Sequence, residues 1–170
     1  ANFNPSQISG RMLWQLVSQK VLGGGKLSPH GRFGHTMVAW DGNLYVIGGV
    51  EGSLADSNFL TDVVRFDCES GHWIPERRIG FGKGPVHSQG DTPARIAYHT
   101  ATLVGGRLFL FGGLSGIFPV NRVSVLELGT MQWIFPPYKG QPPAPRAGHS
   151  ATLIGSFICF IGGELDGTYL

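Results

Sequence analysis

The chain has 170 residues, of which 42% are hydrophobic and only 14% are charged, and it contains 27 glycines and 11 prolines. This composition excludes an intrinsically disordered chain and is typical of an all-β protein with many turns. The net charge of +2 comes without a basic cluster, and no apolar run approaches the roughly 20 residues of a membrane helix. We therefore expect neither nucleic acid nor a membrane as a partner.

The first candidate element is the segment 12–17, which contains Trp14. Two interpretations stay open: a strand that ends a preceding repeat unit, or a helix that begins near Pro5. The N-terminus shows no signal-peptide pattern. Two cysteines, Cys68 and Cys159, stand far apart without a CxxC spacing, which favours a reducing compartment, and we expect the protein in the cytoplasm.

Three hairpins are predicted further along the chain, each from two apolar stretches of strand length joined by a tight turn. The turns are Asp41-Gly42, Gly105-Gly106 and Gly155-Ser156, residues that tolerate the backbone angles of short hairpin loops. The predicted strands are 35–40 with 43–47, 99–104 with 107–111, and 149–154 with 157–161. The second strand of each pair contains an unbroken apolar run, at 44–47, 108–111 and 157–161, which predicts a sheet covered on both faces.

A second hairpin is predicted after each of the first two. It pairs residues 61–67 with a strand that carries Trp73, and residues 121–128 with a strand that carries Trp133. Phe66 and Leu126 each stand seven residues before the Trp, so we expect the same register in both copies. The large Trp side chain is expected to fill space toward an adjoining sheet.

These hairpins belong to an internal repeat. A His and, thirteen residues later, a double glycine mark each copy, and the copies follow at intervals of 64 and 50 residues. Repeats of about 50 residues without helix signals predict blades of a β-propeller, in which each sheet hides its apolar faces only by stacking on its neighbours. The predicted fold is therefore all-β, a partial propeller of four-stranded antiparallel blades.

The predicted boundaries lie within a single propeller domain of eleven strands. Residues 1–31 supply the last strand of a preceding blade and a loop, 32–79 one blade, 80–144 a long loop and another blade, and 145–170 the first hairpin of a further blade. Closed propellers need four to eight blades, so we expect the chain to be part of a longer protein. Its open edges would meet further blades of the same chain or another protein.

The repeat resembles the kelch family, whose blades carry a double glycine after the second strand and a Trp in the fourth. Pro145-Arg146-Ala-Gly-His149 and the similar stretch from Pro29 to His35 carry the resemblance, which covers about residues 12–170. A WD-repeat interpretation fails because Gly34-His35 and Trp40-Asp41 stand on one strand rather than at opposite ends of a blade. The residues expected to have a structural role in the motif are His35, Gly48, Gly49, Trp73, His99, Gly112, Gly113, Trp133, His149, Gly162 and Gly163.

The repeated His residues allow two interpretations. They could bind a metal near the propeller axis, or each could form hydrogen bonds near the start of its own blade, and repetition in register favours the structural role. Arg32, Arg95 and Arg146 pose the same choice between a ring that binds an anion and bridges to loop carbonyls or an acid, and the structural role is again favoured. The sequence predicts no catalytic residues, no metal site and no cofactor.

The connections between strands point to one functional face. Alternate connections of an antiparallel meander emerge at opposite ends, so the short turns share one end and the long connections 18–34, 50–60, 74–94, 114–120 and 134–148 share the other. Long loops on a rigid scaffold commonly carry binding residues. The candidate residues for binding a partner protein at this end are His30, Arg32, Lys83, His87, Arg95, Tyr138, Lys139 and Arg146.

The predicted function is a noncatalytic protein-interaction or scaffold module, which the kelch resemblance also implies. Two alternatives stay open. Some kelch-like propellers are enzymes, among them a copper-dependent sugar oxidase and plant proteins that redirect glucosinolate breakdown, so the chain could be the propeller of such a protein. It could also be a structural subunit that self-associates by pooling blades from two chains.

Overall fold

The computed structural model describes residues 29–52, 58–74 and 95–170. The first four-stranded sheet consists of β1 (Thr36–Trp40), β2 (Asn43–Ile47), β5 (Val63–Asp67) and β6 (His72–Ile74), antiparallel throughout and in that spatial order. Between β2 and β5, a small ribbon pairs β3 (Val50–Glu51) with β4 (Asn58–Phe59). We call this sheet, with its ribbon, the first blade.

The middle blade repeats the arrangement. Its sheet consists of β7 (Thr100–Val104), β8 (Arg107–Phe111), β11 (Val123–Glu127) and β12 (Gln132–Ile134), and its ribbon pairs β9 (Leu114–Ser115) with β10 (Phe118–Pro119). The third blade shows the hairpin of β13 (Ser150–Ile154) and β14 (Phe157–Ile161), followed by the ribbon of β15 (Glu164–Leu165) and β16 (Thr168–Tyr169). The prediction of an all-β fold with four-stranded antiparallel blades is confirmed.

The turns and registers follow the sequence pattern. Asp41 and Gly42 both adopt positive φ, 46° and 72°, which lets a two-residue turn join β1 to β2. Phe66 lies opposite Trp73, and Leu126 opposite Trp133, so the seven-residue spacing does fix the same register in both blades. The Phe66 and Trp73 rings meet edge to face at 5.2 Å between centroids, within one sheet. Trp133 packs against the core between two blades, as predicted.

The three small ribbons correct one expectation. The connection 114–120 was expected to be an open loop, but it folds back on itself as β9 and β10 around the turn Gly116-Ile117. A strand of two residues is too short to produce an alternating apolar pattern, so such a ribbon has no recognisable signal in the sequence. Each ribbon is anchored by an isolated bridge to the segment before the first strand of its blade: Phe33 to Val50, Ala97 to Leu114, and Ala147 to Glu164.

The blades pack face to face and share a core. Tyr45, Ile47 and Val63 of the first blade interleave with a buried leucine cluster of the middle blade, Leu108, Leu110, Leu126 and Leu128. On the other face of the middle blade, Phe111 stacks on Phe160 at 4.2 Å between ring centroids. Strand β7 lies against both β1 and β13, so the first strands adjoin one another, as the strands around a propeller axis do.

The predicted strand or helix at 12–17 lies outside the described residues. Among the residues that are described, no helix is long and apolar enough to cross a membrane.

Candidate functional site

The repeated His side chains join neighbouring blades. A hydrogen bond of 2.8 Å links His99 Nε2 to Thr36 Oγ1 of the first blade, and one of 2.8 Å links His149 Nε2 to Thr100 Oγ1 of the middle blade. Both imidazoles are buried. The expectation that each His bonds within its own blade is therefore wrong for His99 and His149: the partner is the first residue of the preceding blade's innermost strand, a contact that only the stacking of blades creates.

Burial controls the protonation of these two rings. Desolvation, with smaller contributions from the neighbouring His149 and His35, lowers the pKa of His99 to about 4. Desolvation and then the positive charge of Arg146 lower the pKa of His149. Both rings are thus neutral at physiological pH, which suits an uncharged joint between sheets.

The double glycines lie at the same contacts between blades. A Cβ atom on Gly49 or Gly163 would lie about 3 Å from the His of its own blade, at 3.0 Å and 2.9 Å. A Cβ atom on Gly112 would lie 2.6 Å from the ring of His149 in the next blade. Gly112 therefore lets the middle and third blades approach through a position where a side chain does not fit, and Gly48, whose Cβ would meet Ile96 of the middle blade, does the same for the first and middle blades.

Arg32 is committed to the interior of the first blade. Its guanidinium donates to both carboxylate oxygens of Asp62, at 2.6 Å and 2.9 Å, and to the carbonyl of Gly48 at 3.0 Å. Its side chain is only 6% exposed. Such a bidentate pair fixes the loop before β1 against the residue before β5, and it leaves Arg32 little surface to offer a partner.

We expect this pair to contribute to stability. A double-mutant cycle with Arg32→Ala and Asp62→Ala should give a coupling free energy of about 2 kcal/mol. Removing either side chain leaves the charge of the other without a counter-ion in a partly buried site. The matched cycle on the exposed pair Arg107 and Glu127, joined at 3.3 Å, should give about 0.5 kcal/mol or less. Urea unfolding measures both cycles, and equal couplings would contradict the structural role of Arg32.

Arg95 is not the structural counterpart of Arg32 and Arg146. The amide of Gly49 donates to the carbonyl of Ile96 at 2.9 Å, and the equivalent amide of Gly113 donates to the carbonyl of Arg146 at 2.7 Å. Ile96 therefore holds the arginine position in the middle blade, three residues before the His as in the other copies. Arg95 lies one residue earlier, with an exposed side chain.

The middle blade differs from the first blade at a second structural position, the one that Asp62 holds. The amide of Gly48 donates to the carbonyl of Asp62 at 3.0 Å, and the amide of Gly112 donates to that of Arg122 at 3.4 Å. Arg122 thus occupies the position of Asp62. Sequence reasoning missed this residue, although counting eleven residues back from Trp73 and from Trp133 gives Asp62 and Arg122.

Tyr98 is the third departure of the middle blade. It adopts a positive φ of 57° at a position that Gly34 and Gly148 hold in the neighbouring repeats. Its amide donates to the Gly34 carbonyl at 2.7 Å, and its carbonyl accepts from the Gly148 amide at 2.9 Å, so this backbone conformation is held from both sides. Its ring meets Phe33 edge to face. A strained residue that keeps a half-exposed aromatic ring is typical of a functional surface.

The remaining predicted residues are distributed over the end of the blades that carries the long connections. Arg146 donates to the carbonyls of Ala144 and Gly162, at 3.2 Å and 2.8 Å, which is a structural role like that of Arg32. His30 is exposed and lies 3.0 Å from a carboxylate oxygen of Glu51. Tyr138 and Lys139 are exposed. Lys83 and His87 lie outside the described residues.

Large apolar side chains stand exposed at this same end. Ile117 and Phe118, at the turn of the β9–β10 ribbon, are 80% and 70% exposed, and Tyr138 is 61% exposed. Ile117 and Phe118 had no signal in the sequence, because the ribbon that presents them could not be predicted. Exposed apolar side chains of this size commonly mark an interaction site.

The short-turn end has a different character. It carries an open cavity of about 330 Å³ lined mainly by polar residues, among them Asp41, Arg65 and Asp67. The Asp67 carboxylate accepts hydrogen bonds from the Ser70 hydroxyl and the Glu69 amide, both at 2.9 Å, and these bonds lower its pKa. This end is thus organised around its turns. In the described ranges, no three His, Cys, Asp or Glu side chains come together in a group that could hold a metal ion.

Comparison with known proteins gives one family match and several relatives. A family model described as the KLHDC2/KLHL20/DRC7 Kelch-repeats domain matches residues 28–170. Host cell factor 2 of Homo sapiens is 29% identical over 160 residues, which is 91% of this chain and 20% of that protein. Kelch domain-containing protein 3 of Rattus norvegicus is 29% identical over 153 residues, 88% of this chain and 36% of that protein.

A shorter match has higher identity. The Rho GTPase-activating protein gacHH of Dictyostelium discoideum is 36% identical over 90 residues, 53% of this chain and 5% of that protein. The chain therefore spans between 5% and 36% of the length of these relatives.

Proposed function

This chain belongs to the kelch-repeat family, and on that premise we propose that it binds a partner protein through the end of its blades that carries the long connections. Kelch repeats are generally noncatalytic protein-interaction modules. The surface proposed here consists of the β9–β10 ribbon, the connection 135–148 and the segment before β7. We call it the long-connection face.

One observation carries the proposal: the exposed apolar side chains of the described residues include three on this face, Ile117, Phe118 and Tyr138. Arg95 and Lys139, also exposed, add positive charge to this face. Aromatic and apolar anchors with a charged rim are the usual composition of a protein-binding patch. The polar side chains that mark the repeat, by contrast, are occupied within and between blades.

The proposal is tested with the full chain and a partner first isolated by chemical cross-linking and then purified. Ile117→Ser combined with Phe118→Ser should weaken binding by at least about tenfold, because such anchors dominate interface energies. The matched variant at the other end, Glu69→Lys with Thr130→Lys, should leave the dissociation constant within about twofold. Titration calorimetry measures both. The reverse pattern would place the interface at the short turns and refute the proposal.

A further inference from the structure

The connection between the middle and third blades is rich in proline. Residues 135–148 hold five of the 11 prolines of the chain, whereas the connection 18–34 holds one. From Gln141 to Pro145, every residue is either a proline or stands directly before one. A proline ring fixes φ at about −65°, and the residue before a proline is restricted to the extended region. This proline stretch, residues 141–145, therefore favours the polyproline II conformation.

The structure presents the proline stretch at the surface. Residues 135–146 form neither helix nor strand, and no hydrogen bond between main-chain groups joins 136–145 to the other described residues. A polyproline II helix likewise has no internal hydrogen bonds. Pro143 and Ala144 are exposed, and Pro142 and Pro145 are half-buried. A partner can therefore reach the stretch along its whole length.

Two side chains hold the proline stretch in place. The Asn121 amide donates to the Pro143 carbonyl at 3.1 Å. The Arg146 guanidinium donates to the Ala144 carbonyl at 3.2 Å. A segment that is already rigid loses less conformational entropy when it binds, which is the advantage of a proline-rich ligand.

A cation stands at a fixed spacing from the prolines. Lys139 precedes Pro142 by three residues, which gives the pattern Lys-x-x-Pro-x-x-Pro over 139–145. Because polyproline II has about three residues per turn, Pro142 and Pro145 lie on one edge of the helix. Lys139 is exposed, and no described carboxylate lies within ion-pair distance of it. Gly140, with a φ of 85°, places Lys139 at a bend beside the stretch.

These features fit one class of partner. Domains of the SH3 kind bind Pro-x-x-Pro segments in a groove lined by aromatic rings, and they use a polyproline II helix that is formed before binding. A carboxylate beside such a groove would complement the free charge of Lys139. Arg146 cannot take this role, because the carbonyls of Ala144 and Gly162 already occupy its guanidinium.

We propose that residues 139–145 are the ligand of a domain of the SH3 kind that has an acidic residue beside its aromatic groove. This inference rests on the proposed function, because the connection 135–148 belongs to the long-connection face. It adds the class of protein that this face binds. The proline stretch occupies the groove, and Lys139 pairs with the acid.

The first test uses the full chain and a panel of purified SH3 domains as probes, with titration calorimetry. At least one domain should bind, and Pro142→Ala combined with Pro145→Ala should weaken that binding by at least about tenfold. Pro137→Ala changes an exposed proline of the same connection that lies outside the pattern, so it should stay within about twofold. If the double variant binds as tightly as the parent, the inference fails.

A second test does not depend on the half-buried prolines. Lys139 and Arg95 are both exposed cations of the long-connection face, so replacing either by Glu should leave the melting temperature unchanged. Lys139→Glu should weaken binding of the SH3 domain by at least about tenfold, and Arg95→Glu should stay within about twofold. Equal losses would show that the domain responds to the charge of the whole face, which would overturn the inference.

The inference and the proposed function fail in different ways. If no SH3 domain binds, or if a panel of WW domains binds more tightly, the inference is overturned. The partner isolated by cross-linking then still tests the face through Ile117→Ser with Phe118→Ser. If an SH3 domain binds but responds only to Glu69→Lys with Thr130→Lys, both proposals are overturned, because the interface then lies at the short turns.

Discussion

Gly112→Ala is expected to lower the free energy of unfolding by about 4 kcal/mol, the sum of backbone strain and a steric clash that cannot relax. Gly112 has a φ of +65°, where an L residue is strained. Its new Cβ would lie 2.6 Å from His149 Cε1 and 2.7 Å from the carbonyl oxygen of Arg146. That carbonyl accepts the Gly113 amide, and the His149 ring packs edge to face against both Phe111 and Phe160 and bonds to Thr100, so neither can yield.

A matched variant separates the two contributions. Gly148 has nearly the same φ, +67°, but no described atom lies within 4 Å of the position of its Cβ. Gly148→Ala should therefore cost only the strain of the left-handed conformation, about 1 kcal/mol. Chemical denaturation of both variants gives the difference. If both variants lose the same free energy of unfolding, then the close contact between blades at Gly112 contributes nothing to stability. That result would contradict the packing described above.

These joints also show what the sequence could predict. The kelch resemblance, the hairpins and the register of each Trp are confirmed, because local apolar runs, turn residues and a fixed spacing determine them. The bond between His99 and Thr36 could not be found in this way, since it joins residues of different blades and exists only once the sheets stack. The hydrophobic periodicity of a strand indicates which of its faces is buried, but not which residues of another blade pack against that face.

The candidate site was predicted less well, for a related reason. A repeated residue is seen easily, and repetition drew attention to Arg32 and Arg146, which bind within the fold. The residues that the structure draws attention to are those that break the repeat, Ile96, Tyr98 and Arg122. Aligning the copies by their nearest Arg hid these exchanges, because Arg95 stands one residue out of register. In a repeat protein, a departure at a structural position is the stronger indication of function.

Stability should fall as the pH is lowered from neutral, and His99 should account for much of the loss. Its pKa of about 4 in the folded protein lies below the value of about 6.5 for an exposed His, so the unfolded chain binds the proton more tightly. The stabilisation is therefore fully present above about pH 6.5 and declines as the pH falls toward 4. Between pH 7 and pH 4.5 the expected loss is about 2–3 kcal/mol.

The reason is visible at the ring itself. In the tautomer that carries the proton on Nε2, neutral His99 donates to Thr36 Oγ1, and its buried Nδ1 has no hydrogen-bond partner. Protonation would add a second N–H donor at Nδ1 and a full charge, in a place without an acceptor or counter-ion among the described residues. His149 has the same geometry and a pKa lowered in the same direction, so it adds to the effect.

His99→Gln separates the contribution of this ring from those of the other titrating groups, because glutamine keeps a polar side chain and cannot titrate. The variant should be less stable than the parent at pH 7, and the difference between the two should shrink by about 2 kcal/mol at pH 4.5. Measuring no lower than pH 4.5 keeps the Asp67 carboxyl mostly ionised, because its pKa is lowered from 3.8. Urea denaturation at both pH values gives the comparison. If the difference in stability stays constant with pH, then His99 is not held neutral by the joint, and the two blades must be hydrated where they meet.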